Sequence, residues 1–119
     1  MTDTDRVRSG DFGYPIVPIF VDAAGVAVSI ADATSMYVIL VPPERDAIVK
    51  PAEFVTNGTD GKITYTVTTG IVVATTLKED DPDSHERWIV QGLALGTTFK
   101  VHSAEFTFDV YRSLGEAPA

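Results

Sequence analysis

The chain has 119 residues, 45% of them hydrophobic and 22% charged, the size and balance of one globular domain with a single core. Seventeen acidic residues against nine basic ones leave a formal charge of -8, so a nucleic-acid backbone is repelled rather than drawn in by counterion release. The absence of cysteine removes disulfides, zinc-thiolate sites and thiol nucleophiles together, and suits assembly in a reducing cytoplasm.

Residues 1–13, MTDTDRVRSGDFG, show neither strand nor helix period and no signal-peptide apolar core, and are expected to form a flexible arm. No apolar run in the chain approaches the ~20 residues of a membrane-spanning helix. The domain proper is expected over 14–112. Its first segment, Tyr14 to Asp22, is rich in β-formers, and Pro15 and Pro18 favour an edge strand because neither can donate to a ladder. Asp22 to Gly25 reads as a tight turn, after which VAVSI alternates again.

Residues 35–41, SMYVILV, are apolar on both faces, which suits a central strand at the middle of the core. The segment PPERDAIVKPAEF, Pro42 to Phe54, mixes three prolines and charges and predicts a surface loop with one short strand around Ile48 and Val49. NGTDG supplies turn signals before DGKITYTV, where Ile63, Tyr65 and Val67 should point inward and Thr64, Thr66 and Thr68 outward. Residues 71–77, IVVATTL, read as a strand continuation or a short helical turn, and the acidic run from Lys78 to Glu86 as a loop. Trp88 to Leu95 and Phe99 to Tyr111 are the last two apolar segments, joined by a hairpin-length GTT; in the second, Phe106, Phe108 and Val110 share a face. Residues 113–119 are expected to be a loose tail. Some seven short strands without an amphipathic helix predict an all-β, antiparallel two-sheet sandwich, immunoglobulin-like in topology, with a jelly roll or small barrel as the alternative.

Candidate sites are few. Glu79, Asp80, Asp81, Asp83 and Glu86 crowd carboxylates that suit calcium, but their spacing is not that of an EF-hand, and a solvated charge run is the preferred reading. His85 and His102 are not brought together by any sequence feature. There is no nucleophile elbow, phosphate-binding glycine loop or paired-histidine metal motif, so no catalytic residue, cofactor or metal ligand is expected. Trp88, the sole tryptophan, is expected to be buried between the sheets. Tyr14, Tyr37, Tyr65 and Tyr111 are expected as core or interface residues; clustered on the surface they would instead suggest a carbohydrate- or ligand-binding module.

Taken in order, PIFVDAAGVAVSIADATSMYVILVPPE, DGKITYTV, RWIVQGLAL and EFTFDV resemble a phage tail and baseplate module, the N-terminal domain of upper baseplate proteins. The matching positions are the turn at Asp22 to Gly25, Ala33 and Thr34, Pro42 and Pro43, the strand at Gly61 to Tyr65, and Trp88 to Gln91, so the resemblance covers roughly 14–111. Arg87 stands where such modules commonly carry glycine. The resemblance implies a virion structural protein, made in the host cytoplasm, that assembles with other virion proteins and with itself in a symmetric array and binds neither nucleic acid nor membrane. It further implies an adaptor or decoration subunit rather than a receptor-binding tip. The N-terminal arm, the Pro42 to Pro51 loop and the strand from Tyr14 to Val21 are the expected contact regions.

Overall fold

A computed structural model of the chain describes residues 7–78, 80–81 and 83–111. These form nine strands and no helix: β1 (Val7–Arg8), β2 (Pro15–Ile16), β3 (Ser35–Val41), β4 (Ile48–Pro51), β5 (Glu53–Phe54), β6 (Ile63–Thr66), β7 (His85–Leu95), β8 (Lys100–His102) and β9 (Phe106–Tyr111). The larger sheet runs β1-β9-β7-β3-β4, with β8 also paired to β7, and the smaller runs β2-β6-β5. All pairings are antiparallel except β1 beside β9. The expected all-β two-sheet arrangement is what the residues form.

Between the sheets lie Phe20, Ile30, Val38, Leu40, Ile63, Val67, Val72, Trp88, Val90 and Val110, all buried. The alternation in β6 places Ile63, Tyr65 and Val67 in this core and leaves Thr66 and Thr68 exposed, as a period of two demands. In the middle of β7, Gly92 faces the same core: a Cβ there would stand 2.8 Å from the Pro18 side chain and 3.2 Å from those of Ile63 and Phe20. A glycine weakens a strand interior, so its place here follows from how closely the smaller sheet approaches.

The turn at Asp22 to Gly25 forms as expected. Its Asp22 side chain accepts from the amides of Ala24 and Val26 at 2.9 and 3.0 Å, and Gly25 takes a φ of 80° that costs it nothing sterically. β2 lies at an edge of the smaller sheet, where Pro15 within it and Pro18 just beyond it are tolerated.

Five expectations change. Val7 and Arg8, placed in the flexible arm, pair with Val110 and Tyr111; residues 1–6 and the tail at 113–119 lie outside the described residues. VAVSI is not a strand, because its amides reach separate partners, Phe20 for Val28 and Gly58 for Ile30, instead of one ladder. Residues 71–77 form neither strand nor helix; Val72 is buried and the rest of the segment is held by side chains described below. The acidic run ends sooner than expected, since His85 and Glu86 open β7. Finally, Phe99 to Tyr111 is not one strand. It breaks at Ser103, and both pieces, β8 and β9, pair with the same edge of β7.

Ser103 bridges that break. Its amide donates to the Gly92 carbonyl at 2.9 Å, its hydroxyl accepts from the Gly92 amide at 2.7 Å and donates to the Ala104 carbonyl at 2.9 Å, and its own carbonyl accepts from Gln91 at 3.0 Å. A buried polar side chain thereby substitutes for the ladder bonds the interruption removes.

Candidate assembly surface

In an antiparallel ladder, residues directly opposite each other share a face. The register therefore gives two lists for the larger sheet. Met36, Val38, Leu40, Trp88, Val90, Gly92, Ala94 and Val110 belong to the inner face, and a set of rows crosses the outer one. Leu93 lies beside Tyr37, which lies beside Pro51; Gln91 beside Ile39 and then Val49; Thr107 beside Ile89 and then Val41. Tyr37, Ile39, Val41 and Leu93 are half-buried, Val49 is 54% exposed and Ile89 38%.

Among the described residues no strand of the smaller sheet or elsewhere pairs or packs over this face. β3 is thus paired along both edges, as a central strand should be, but only its inner face is covered. That corrects the expectation of burial on both faces, and it leaves a contiguous apolar area on the outside. β7 contributes equally, because RWIVQGLAL is also apolar on both sides. The signal was present in the sequence: two doubly apolar strands and no amphipathic helix to cover them.

Polar groups bound the area. At one end Arg87 Nε donates to Asp109 Oδ1 at 3.1 Å, and His85 Nε2 lies 4.0 Å from Asp109 Oδ2. The hydrogen bond to Asp109, with the charge of the same carboxylate, raises the already high Arg87 pKa, so this group stays cationic. The His85 ring packs on Tyr111 with centroids 5.0 Å apart. At the other end Lys100 and His102 sit opposite Leu95 and Leu93. An apolar centre within a polar rim is the anatomy of a protein contact surface.

His85 opens β7, paired to Tyr111, and His102 lies on β8 opposite Leu93, a separation of roughly 25 Å along β7 at the usual rise per residue. They form no couple.

Glu86, grouped by sequence with the acidic loop, is only 2% exposed. One carboxylate oxygen accepts from Arg45 Nη2 at 2.5 Å and from Trp88 Nε1 at 3.1 Å. The other accepts from the amides of Thr75 and Thr76, both at 2.9 Å, and the Thr76 hydroxyl at 2.7 Å. Burial alone would raise its pKa, but the hydrogen bonds from Thr76, Thr75 and Trp88 together outweigh that and hold it below the usual glutamate value. The Arg45 guanidinium also lies 5.3 Å from the centre of the Trp88 ring. This cluster fastens the 71–77 segment and the β3–β4 connection onto β7. Both Glu86 oxygens are taken by these donors, while Arg45 Nε is buried without a hydrogen-bond partner among the described residues.

Asp80, Asp81 and Asp83 are exposed; Glu79 lies outside the described residues. Among the described residues no three His, Asp or Glu side chains gather where a metal ion would be held. Trp88 is fully buried, as expected, and packs on Phe108 with ring centroids 5.9 Å apart. The tyrosines disperse: Tyr65 is in the core, Tyr37 on the open face, Tyr111 beside His85, and Tyr14 half-buried at the edge of the smaller sheet. An open depression of about 420 Å³ between the β4–β5 link and β6 has Glu53 and Tyr65 as its ionisable side chains.

Compared with models of known protein families, with curated proteins and with solved structures, the chain finds no match in any of the three. The surface itself therefore carries the functional argument.

Proposed function

We propose that this chain is a noncatalytic structural subunit of a tailed-phage particle, a tail or baseplate adaptor or decoration protein that works through contacts with neighbouring virion proteins and with further copies of itself. The observation that carries this reading is the open apolar face of the larger sheet, centred on Tyr37, Ile39, Val41, Val49, Ile89 and Leu93. Monomeric proteins rarely leave a large contiguous apolar patch facing water, and this one is rimmed by charge. The resemblance of 14–111 to a baseplate module supplies the particle.

The same proposal takes the sandwich as immunoglobulin-like. Its support is the strand order, β1-β9-β7-β3-β4 over β2-β6-β5, which follows the scheme of a last-strand, sixth-strand, third-strand sheet facing a second, fifth and fourth-strand sheet, with the first strand added beside the last. In that scheme the open face belongs to the sheet containing the two chain ends of the domain, and a subunit is free to stack through it.

Quantitative mass spectrometry of particles purified from a lysate tests the proposal. The chain is expected at many copies per particle, in integral ratio to a tail or baseplate protein. Its absence from purified particles, with the protein present in the lysate, overturns the reading.

A further inference from the structure

The edge of the smaller sheet has chemistry of its own. From Tyr14 to Phe20 the chain runs beside β6 and its extensions: Val67 donates to Tyr14 at 3.0 Å, Ile63 to Pro18 at 3.2 Å, and Phe20 to Gly61 at 2.7 Å. Even-numbered residues thus spend their backbone groups on β6, and those of Pro15, Val17 and Ile19 point away from it. Pro15 has no N–H. Among the described residues the amides of Val17 and Ile19 find no acceptor.

Beside these unpaired groups lies an apolar groove. Val17, Ile19, Val21, Ala104, Glu105 and Phe106 line about 330 Å³ of it. Val17 and Phe106 also line its continuation of about 150 Å³, which reaches Val7, Tyr14 and Phe108. Ile19 is 41% exposed and Phe106 38%. Tyr14 lines the continuation with its ring, and its hydroxyl is buried without a hydrogen-bond partner among the described residues.

Two occupants are available in principle. One is the segment before Val7, MTDTDR. Its chemistry is wrong: any placement that buried Asp3 or Asp5 beside Val17, Phe106 and the like-charged Glu105 would be a costly burial of carboxylates. An outside strand meets no such conflict. Among the described residues Glu105 is the groove's only ionisable lining residue besides Tyr14, and the chain as a whole is at -8; Lys62 opposes Ile19 from β6 and is not part of the groove. The charge favours a basic occupant.

We propose that the edge from Pro15 to Val21 is a strand-addition site for an extended segment of a partner protein, apolar at alternate positions and carrying lysine or arginine at its ends. Main-chain hydrogen bonds to Val17 and Ile19 supply pairing, and the groove supplies selection of alternate side chains. The inference rests on the assembly reading above only in taking that partner to be a neighbouring structural subunit.

The test uses the full chain and a fluorescein-labelled, end-blocked peptide, Lys-Thr-Val-Thr-Val-Thr-Val-Thr-Lys, followed by anisotropy. Saturable binding is expected, weakened at least tenfold by Ile19→Pro, which deletes an outward amide, and by Phe106→Asp, which fills the groove with charge. A peptide with glutamate in place of both lysines should bind at least fivefold more weakly. If a variant does not fold, amide exchange on the unaltered chain decides: Val17 and Ile19 should gain at least tenfold protection when the lysine peptide is added. No saturable binding up to millimolar peptide, no added protection, or a tenfold gain in affinity on deleting residues 1–6 overturns the proposal, the last by showing that the chain's own N-terminus fills the groove. A dimer of the chain alone that Ile19→Pro abolishes also overturns it, in favour of a second copy. A chain abundant in particles that binds no peptide defeats this inference and leaves the assembly reading intact; peptide binding by a chain absent from particles does the reverse.

Discussion

Glu86 brings a negative charge to a place where burial alone would favour the neutral acid, and five donors keep it ionised. Removing the carboxylate leaves Arg45 and the Trp88 and Thr75–Thr76 donors without their acceptor, and a stripped buried partner costs more than the bond itself was worth. Glu86→Ala is therefore expected to lower unfolding free energy by roughly 3 kcal/mol, read from urea denaturation at neutral pH. Glu86→Gln keeps one acceptor but turns an NH2 toward donors, and should lose about half as much. The pH dependence has a definite sign. The unfolded carboxyl takes up its proton around the ordinary value of 4.5 and the folded one only at lower pH, so the stabilisation is complete above that value and is lost as pH falls through the folded pKa. Denaturation midpoints measured from pH 7 downward should fall more steeply for the unaltered chain than for Glu86→Gln below about pH 5. Little of this was visible locally: Glu86 follows a run of acids, and apart from Trp88 two residues on, its partners lie 10, 11 and 41 residues away.

β7 is the element through which the others communicate, pairing with β3 on one edge and with β8 and β9 on the other. Its Gly92 and the facing Ser103 are where tolerance should be least. Gly92→Ala puts a methyl 2.8 Å from Pro18, and the sheets must part or Pro18 must shift; the expected loss is about 1–3 kcal/mol. Ser103→Ala leaves the Gly92 amide buried without its acceptor, with a similar expected loss of about 1–3 kcal/mol. Thermal unfolding followed by the buried Trp88 emission measures both. At this scale the sequence was informative wherever a single strand buried a single face: β6 alternates as its threonines predict, and the Asp22 turn needs only its own side chain. It was misleading where a side chain replaced a ladder. The run from Phe99 to Tyr111 reads as one apolar segment, yet it breaks at Ser103, where its apolar positions change from odd (Phe99, Val101) to even (Ala104, Phe106). IVVATTL has strand composition, yet its Thr75 and Thr76 amides go to Glu86 rather than to a neighbouring strand. Such partners arise from tertiary placement, which a period of two does not encode.

As a whole molecule the sandwich closes one face of each sheet and leaves the outer face of the larger one apolar. Residues there face a different constraint from those in the core. Ile39→Glu or Ile89→Glu should change stability by less than about 1 kcal/mol, because each site is at least partly solvated in the free chain, while abolishing incorporation into particles; incorporation at the unaltered level would show that another surface makes the contact. The doubly apolar pattern of β3 and β7 was legible in the sequence as central-strand character, but whether a second layer covered the outside was not, since that depends on the total number of elements and where they pack. Hydroxyl-radical footprinting of the chain, free and in the purified particle, tests the claim most directly. Tyr37, Ile39, Val49, Ile89 and Leu93 should be labelled in the free chain and protected in the particle, with the loop aspartates Asp80 and Asp83 equally labelled in both. Undiminished labelling of the five sheet residues in the particle would contradict it.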